Sequence, residues 1–319
     1  MKLLVVTGCC GFIGQTFTRM ALDLGYMIYG IDKMTEVSND NAIYDFYDHK
    51  NGKNFTFVQE DIKDLTYLPD CDWVVNFAAE SHVGTSIINS NEFMNSNVLG
   101  VQNLLELVRT KQSNVADRPV FVQISTDEVY GDLGEGFHTE TDMLNPSNPY
   151  AASKSSADLL VLAWARTYGI KYNIMRPTNN YGKGQFPEKL IPLSVKNLRR
   201  GRKIKLHNEG EPIRTWLHIE DTVNAILTVM NKGEINNIYN ISGGLEKKNI
   251  DTVKEIIYNY HGKDANWKDY VDFGCVRVGQ DQRYALDDGK LRALGWEPYM
   301  NFDEQLKKIV EQEKETFRW

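Results

Sequence analysis

Five short apolar runs alternate with amphipathic stretches in the first part of the chain, and this alternation restricts the fold more than any other feature. The runs are Leu3 to Thr7, Met27 to Ile31, Phe55 to Val58, Trp73 to Phe77 and Val120 to Ser125, with helical periodicity in intervening stretches such as Gln15 to Leu24 and Ser96 to Thr110. None shows the polar alternation of a strand with one wet face, so both faces are expected to be covered. Strand and helix repeating in this way predict an α/β fold with a doubly wound parallel sheet of the Rossmann type. Such sheets bind ligands beyond the carboxyl ends of their strands. No repeat, low-complexity tract or Pro/Ser-rich linker divides the chain. A smaller α/β substrate-binding lobe is therefore expected from inserted and C-terminal segments: 1–180 would form the nucleotide-binding domain with the catalytic residues, and 181–319 mainly the lobe, with some segments returning to the first domain.

With 319 residues, 42% of them hydrophobic and 25% charged, the chain has enough apolar material for a substantial core. A net charge of −7 and the absence of a basic stripe argue against nucleic acid as a partner. The one basic run, Lys196 to Lys203, reads as the charged end of a helix. Cys9, Cys10, Cys71 and Cys275 have neither zinc-type spacing nor histidine neighbours, so no metal is expected and a reducing compartment fits. The N-terminal apolar run is too short for a signal peptide or membrane span, and no later run reaches membrane length. A cytoplasmic enzyme is the expectation.

Directly after the first run comes Gly8-Cys9-Cys10-Gly11-Phe12-Ile13-Gly14, a G-x-x-G-x-x-G turn entering a helix. Gly8, Gly11 and Gly14 permit a tight turn and bring the helix N-terminus to a pyrophosphate. Asp32 ends the second run, where a carboxylate accepts hydrogen bonds from the adenosine ribose and repels a 2′-phosphate; this favours NAD over NADP. Lys33 beside it reads as a solvated lysine. Asp61-Ile62 stands where an acid meets the adenine amino group or, equally, caps a helix.

Tyr150 and Lys154 are four residues apart at the start of a helix that runs to about Tyr168, with Pro149 before it, and so share a face. A phenol titrates near ~10, and its use as a base at neutral pH needs a nearby cation, which Lys154 supplies. Asp127 and Glu128 follow the strand ending at Ser125, and a turn there would aim both acids into one pocket. Adjacent buried acids do not ionise together freely, so one holds a proton as acid while the other acts as base. That is elimination chemistry.

On these residues the chain resembles the extended short-chain dehydrogenase/reductase superfamily, and within it the dTDP-glucose 4,6-dehydratases. The resemblance runs nearly end to end, through Ala78 to Val83, Ser125 to Asp132, Asn145 to Lys154, Asn179 to Gly182, Gln185 to Pro192, Ile213 to Leu217, Tyr239 to Ile241, Glu246 to Ile250 and Arg283 to Ala285. Its most specific part is the acid pair inside Ser125-Thr126-Asp127-Glu128-Val129-Tyr130, which related epimerases and decarboxylases do not carry. The resemblance implies that Tyr150, with Lys154 lowering its pKa and Thr126 holding the sugar, takes the 4-hydroxyl proton while hydride leaves C4 for NAD. Glu128 then removes the C5 proton, Asp127 protonates the departing 6-hydroxyl, and hydride returns to C6. NAD is expected to meet Phe12, Ile13, Asp32, Lys33, Met34, Thr35, Asp61, Ile62, Phe77, Ala78, Ala79, Glu80, Ser81, Ser96, Tyr150, Lys154 and Asn180, besides the three glycines. The nucleotide-sugar substrate is expected at Ser81, Thr126, Asn179, Lys189, Leu190, Lys205, Leu206, His207, Arg214, Asn249 and Arg277. Arg214 suits a diphosphate, or else a surface ion pair with Glu211. His82 reads as a structural hydrogen-bonding residue, and Trp164, Tyr168 and Trp216 as core. A homodimer through long helices, including the one bearing Tyr150, is also implied.

The chain departs from the family's usual pattern at Gly84, where an acid is usual, at Val276, Val278 and Gln280 in the nucleotide-facing segment, and at His207, where tyrosine is usual and related UDP-glucose dehydratases can carry histidine. The base is therefore expected to be thymidine, with uridine next. A 4-epimerase or reductase sharing only the Tyr/Lys pair is the rival enzyme, and a non-catalytic NAD-sensing module the rival outside catalysis.

Overall fold

The structure is a computed structural model and describes residues 2–111, 114–275 and 281–319. Six parallel strands come from the first 180 residues: β1 (Leu3–Thr7), β2 (Met27–Asp32), β3 (Phe55–Gln59), β4 (Trp73–Asn76), β5 (Val120–Ile124) and β6 (Tyr172–Pro177). Three short strands follow, β7 (Asn179–Tyr181), β8 (Ile204–His207) and β9 (Ile213–His218), and then β10 (Asn237–Ile241), β11 (Leu245–Lys248) and β12 (Val271–Cys275). The main sheet has the order β10-β6-β5-β4-β1-β2-β3. All its pairings are parallel. Its order reverses between β1 and β4, and that switch point is where a crevice opens at the carboxyl ends of the strands.

Alternate side chains along β1 explain why no polar residue interrupts it. Leu4 and Val6 enter one core with Phe17 of the Phe12–Asp23 helix and Ile226 of the Ile219–Lys232 helix. Val5 points the other way, into a core with Leu104 of the Gly100–Lys111 helix and Val161 of the Pro149–Tyr168 helix. With a period of two and both faces buried, a polar residue enters only with a partner, as where Thr7 at the end of β1 donates to Asn76 at 2.6 Å and Asn76 to Gln123 at 2.9 Å. Two smaller sheets, β11-β9-β7 and β12-β8, accompany a third core that joins Val195, Trp216, Val253, Ile256 and Leu306. Among the described residues no helix is long and apolar enough to cross a membrane.

Two aromatic expectations fare differently. Trp216 is core, whereas Tyr168 is 40% exposed, because it stands in the last turn of its helix with the Arg109 guanidinium over its ring.

Candidate active site

The turn after β1 is closed by a hydrogen bond from Gly11 N to Gly8 O of 3.1 Å. A Cβ on Gly8, at φ +67°, would lie 2.6 Å from Ala78 N, and one on Gly14 only 2.0 Å from Gly8 O. Only glycine allows this approach. The helix that follows has no side-chain cap and no acid in its first turn, so its N-terminal amides are left for an anion. Asp32 is held ready beside it: its carboxylate accepts from Cys10 N and Met34 N at 2.9 Å and from the Ser38 hydroxyl at 3.0 Å. These features fit a dinucleotide. Cys9 and Cys10 come within 4.8 Å of the Asp32 carboxylate, an approach that spacing alone did not reveal.

Lys33 is not the solvated lysine expected from sequence. Its ammonium pairs with Glu80 at 2.9 Å and bonds Ser96 Oγ at 3.0 Å, with Asp61 at 4.0 Å. Folding brings three acceptors to it from distant segments. Asp61 accepts from Lys63 N in its own turn, while the Ile62 side chain is buried in the core.

A cleft of about 1110 Å³ runs from the glycine turn to the β8 end of the molecule. Of the expected cofactor residues it is lined by Gly8, Gly11, Phe12, Ile13, Gly14, Phe77, Ala79, Ser81, Tyr150, Lys154 and Asn180, and of the substrate residues by all except Arg277. Arg277, with Val276, Val278 and Gln280, lies outside the described residues. Asp32, Lys33, Met34, Thr35, Asp61, Ile62, Ala78, Glu80 and Ser96 are not among the residues that line it.

At mid-cleft the chain leaves β5 through Ser125 and Thr126 into a single tight turn, Asp127–Tyr130, capped by Thr126. The turn sends both acids into the cleft, as the sequence reading required. Asp127 is buried, and desolvation, followed by the charge of Glu128, pushes its carboxyl up to about 7. Burial also raises Glu128, against the opposing charge of Arg214. Glu128 Oε2 accepts a 3.3 Å hydrogen bond from Asn148 Nδ2 and lies 3.5 Å from the Tyr284 hydroxyl.

Tyr150 and Lys154 share one face of the Pro149–Tyr168 helix and are both buried. The expected lowering of Tyr150 by Lys154 does not occur in the protein alone. Burial and then the Glu128 charge push the phenol well above its ordinary range, against the Thr126 hydrogen bond. Lys154 donates instead to the Ile124 carbonyl at 2.6 Å. Its ammonium is pushed down to about 8 by burial, with Asp158 opposing. Asp158 in turn pairs with the buried Arg176 at 2.9 Å.

At the far end, Arg214 does not pair with Glu211, whose partner is Lys248 at 2.7 Å. Its guanidinium lies over the Tyr284 ring at 4.7 Å and donates to the Asp281 carbonyl. Arg202 and Lys203, read from sequence as a helix end, line the cleft beyond the Leu190–Arg199 helix. Two further lining residues, Asp281 and Tyr284, have no role assigned from the sequence. Their only signal was membership of the Arg283–Ala285 neighbourhood. His82 caps the Val83–Ile88 helix through Thr85, the structural role expected of it.

Comparison with known proteins follows the same outline. The family model described as GDP-mannose 4,6 dehydratase matches residues 5–309. The low-salt glycan biosynthesis protein of Haloferax volcanii is 39% identical over 312 residues, covering 96% of this chain and 97% of that protein. The dTDP-glucose 4,6-dehydratase 1 of Escherichia coli strain K12 is 37% identical over 344 residues, covering 100% of this chain and 94% of that protein. The crystal structure of the dTDP-glucose 4,6-dehydratase of Streptomyces venezuelae, which holds NAD, superposes with a TM-score of 0.90 at 38% identity, covering 99% of this chain and 97% of that one.

Proposed function

The chain belongs to the nucleotide-sugar 4,6-dehydratase family as an NAD-dependent hydro-lyase of the dTDP-glucose 4,6-dehydratase type, and from that premise we propose that its substrate is dTDP-glucose and its product dTDP-4-keto-6-deoxyglucose. The observation that carries the reading is the placement of buried Asp127 and half-buried Glu128 on one turn that lines the cleft with Tyr150 and Lys154. Neither pair alone completes the conversion: a Tyr/Lys pair serves oxidation at C4, and an acid pair serves loss of water across C5 and C6.

In this reading Thr126 holds the 4-hydroxyl and Tyr150 takes its proton, with the Lys154 charge close by. When bound, NAD supplies a positively charged ring that accepts hydride from C4 and returns it to C6. The resulting 4-ketone acidifies C5–H. Glu128 takes that proton while Asp127, which its surroundings keep partly protonated at neutral pH, gives one to the departing 6-hydroxyl. Asp32 orients the adenosine ribose, and Arg214, Lys189 and Asn249 serve the diphosphate and nucleotide. Residues 1–180 act as the cofactor domain with segments contributed from beyond 180, the rest forming the nucleotide-sugar lobe. The working assembly is a homodimer, and the setting cytoplasmic deoxysugar synthesis.

A second reading, the same reaction on UDP-glucose, is favoured by His207 at the far end of the cleft. Incubation with dTDP-glucose and UDP-glucose side by side separates them. We expect a product lighter by one water from dTDP-glucose, with no net NADH and a slower reaction from the uridine donor. Intact substrate from both would overturn the dehydratase assignment, and an isomer of unchanged mass would replace it with a 4-epimerase.

A further inference from the structure

Tyr284 stands between two acids. Its hydroxyl donates to Asp281 Oδ2 and lies 3.5 Å from Glu128 Oε2. Tyr284 and Asp281 are 4% and 6% exposed, so neither contact is replaced by bulk water. The ring is fixed beneath the Arg214 guanidinium, and its backbone carbonyl is held by the Thr215 hydroxyl at 2.9 Å. A phenol carries one proton. With that proton given to Asp281, the only way to make a hydrogen bond between Tyr284 and Glu128 is for Glu128 to be the donor, which requires a protonated carboxyl.

The other group on Oε2 is the Asn148 amide nitrogen, a donor that takes up no proton. Among the described residues, Tyr284 therefore offers the lone pair that a newly protonated Glu128 meets. A hydrogen bond made only to the neutral carboxyl strengthens the base, because it favours the state reached after proton abstraction. Asp281, facing the cleft, makes the phenol oxygen a better acceptor by drawing on its proton.

We propose that Tyr284, anchored by Asp281, is a positioning and relay residue for Glu128, carrying the proton taken from C5 away from the carboxyl and bringing one back. The inference rests on Glu128 being the elimination base. The step balances: C5–H breaks as Glu128 O–H forms; that proton passes to the phenol oxygen as the phenol's own proton passes to Asp281. Reprotonation of C5 runs the chain in reverse, after the phenol, which now holds the hydrogen taken from C5, has exchanged it with water in the cleft: Asp281 first gives its proton to water, then takes the phenol's hydrogen, exchanges it and returns a solvent proton to the phenol oxygen. Without the relay, Glu128 can only return the hydrogen it took.

The test is the isotopic content of C5 in product formed by the holoenzyme from dTDP-glucose in D₂O, read by mass and NMR after brief turnover; UDP-glucose replaces it if that is the donor turned over. The native enzyme should place one deuterium at C5. In Tyr284→Phe and in Asp281→Asn we expect product still to form but exchange per turnover to fall about tenfold, equivalent to about 1.4 kcal/mol on one proton step. A merely structural role for Tyr284 would lower the rate and leave this ratio alone. Full exchange in both variants, or protium retained at C5 by the native enzyme, overturns the relay. Glu128→Gln distinguishes the deeper failure: if that variant still exchanges C5, Glu128 is not the base and both readings fall. If it abolishes exchange while Tyr284→Phe does not disturb it, only the relay is lost.

Discussion

Burial in the cleft, reinforced by the Glu128 charge, pushes the Asp127 carboxyl up to about 7, which favours its keeping near neutral pH the proton that a departing hydroxyl needs. The sign follows directly. An acid is useful only while protonated, so water loss should slow as pH rises through 7, whereas C4 oxidation, which does not use Asp127, should not follow the same limb. Rapid mixing, with NADH absorbance followed beside dehydrated product, separates the two: NADH should accumulate transiently at alkaline pH. Asp127→Asn should lower product formation by about 10²- to 10⁴-fold at all pH values and leave the NADH transient in place. A pH profile unchanged by the substitution would remove Asp127 from the acid role. At this scale the sequence was legible where chemistry is local. The Thr126-Asp127-Glu128 turn and the Tyr150/Lys154 spacing are contiguous or one helical turn apart. Lys33 was misread because its partners Glu80, Ser96 and Asp61 come from three separate segments. Tyr284 and Asp281 had no role assigned because 156 residues separate Tyr284 from Glu128.

The Pro149–Tyr168 helix announces both its ends. Asn148 caps it by accepting from Ala151 N at 2.9 Å, Pro149 occupies the first turn, and Gly169 closes it in the left-handed region at φ 71°. Asn148 also bonds Glu128, so one side chain joins the start of the helix to the acid pair. Asn148→Ala should cost about 1 kcal/mol of stability, seen as a fall in thermal midpoint, and should also reduce kcat. Asn148→Asp tests the separation: it restores the cap while facing Glu128 with a second negative charge, so stability should recover and activity should not. Recovery of both would show that the contact to Glu128 does nothing for turnover. Five of the seven main-sheet strands were readable because continuous apolar runs identify strands buried on both faces, whereas β6, interrupted by the buried Asn173 and Arg176, and β10 were not. The Asn95–Leu99 segment, a wide helical turn feeding the Gly100–Lys111 helix, was not, since its hydrophobic spacing does not differ from that of an ordinary helix. Nor were β7 and β11, of three and four residues. They are too short for periodicity, and their existence depends on pairing with β9.

At the scale of the molecule, three of the exposed apolar side chains lie on helical segments that pack on one another: Ile88 is 88% exposed, Leu99 50% and Leu159 56%, while others such as Met143 and Leu24 lie elsewhere. Leu159 lies on the helix that carries Tyr150, and this supports the homodimer proposed above. Sedimentation velocity should give a dimer for the native chain, and Leu159→Glu should shift it toward monomer without unfolding it. A native monomer at the concentrations used for turnover would refute the assembly. The doubly wound class was legible from alternation alone, but the origin of the sheet's edge was not, because nothing local marks Asn237–Ile241 as belonging beside Tyr172–Pro177. That edge constrains how such a gene can be recombined. β10 hydrogen-bonds along β6 from Asn173 opposite Asn237 to Pro177 opposite Ile241. A chimera spliced between two parents at residue 180 would ask one parent's β6 to accept the other's β10. Swaps that alter the nucleotide end will therefore fare best when the crossover points fall inside β8, β9 and their loops, and this seam is inherited whole.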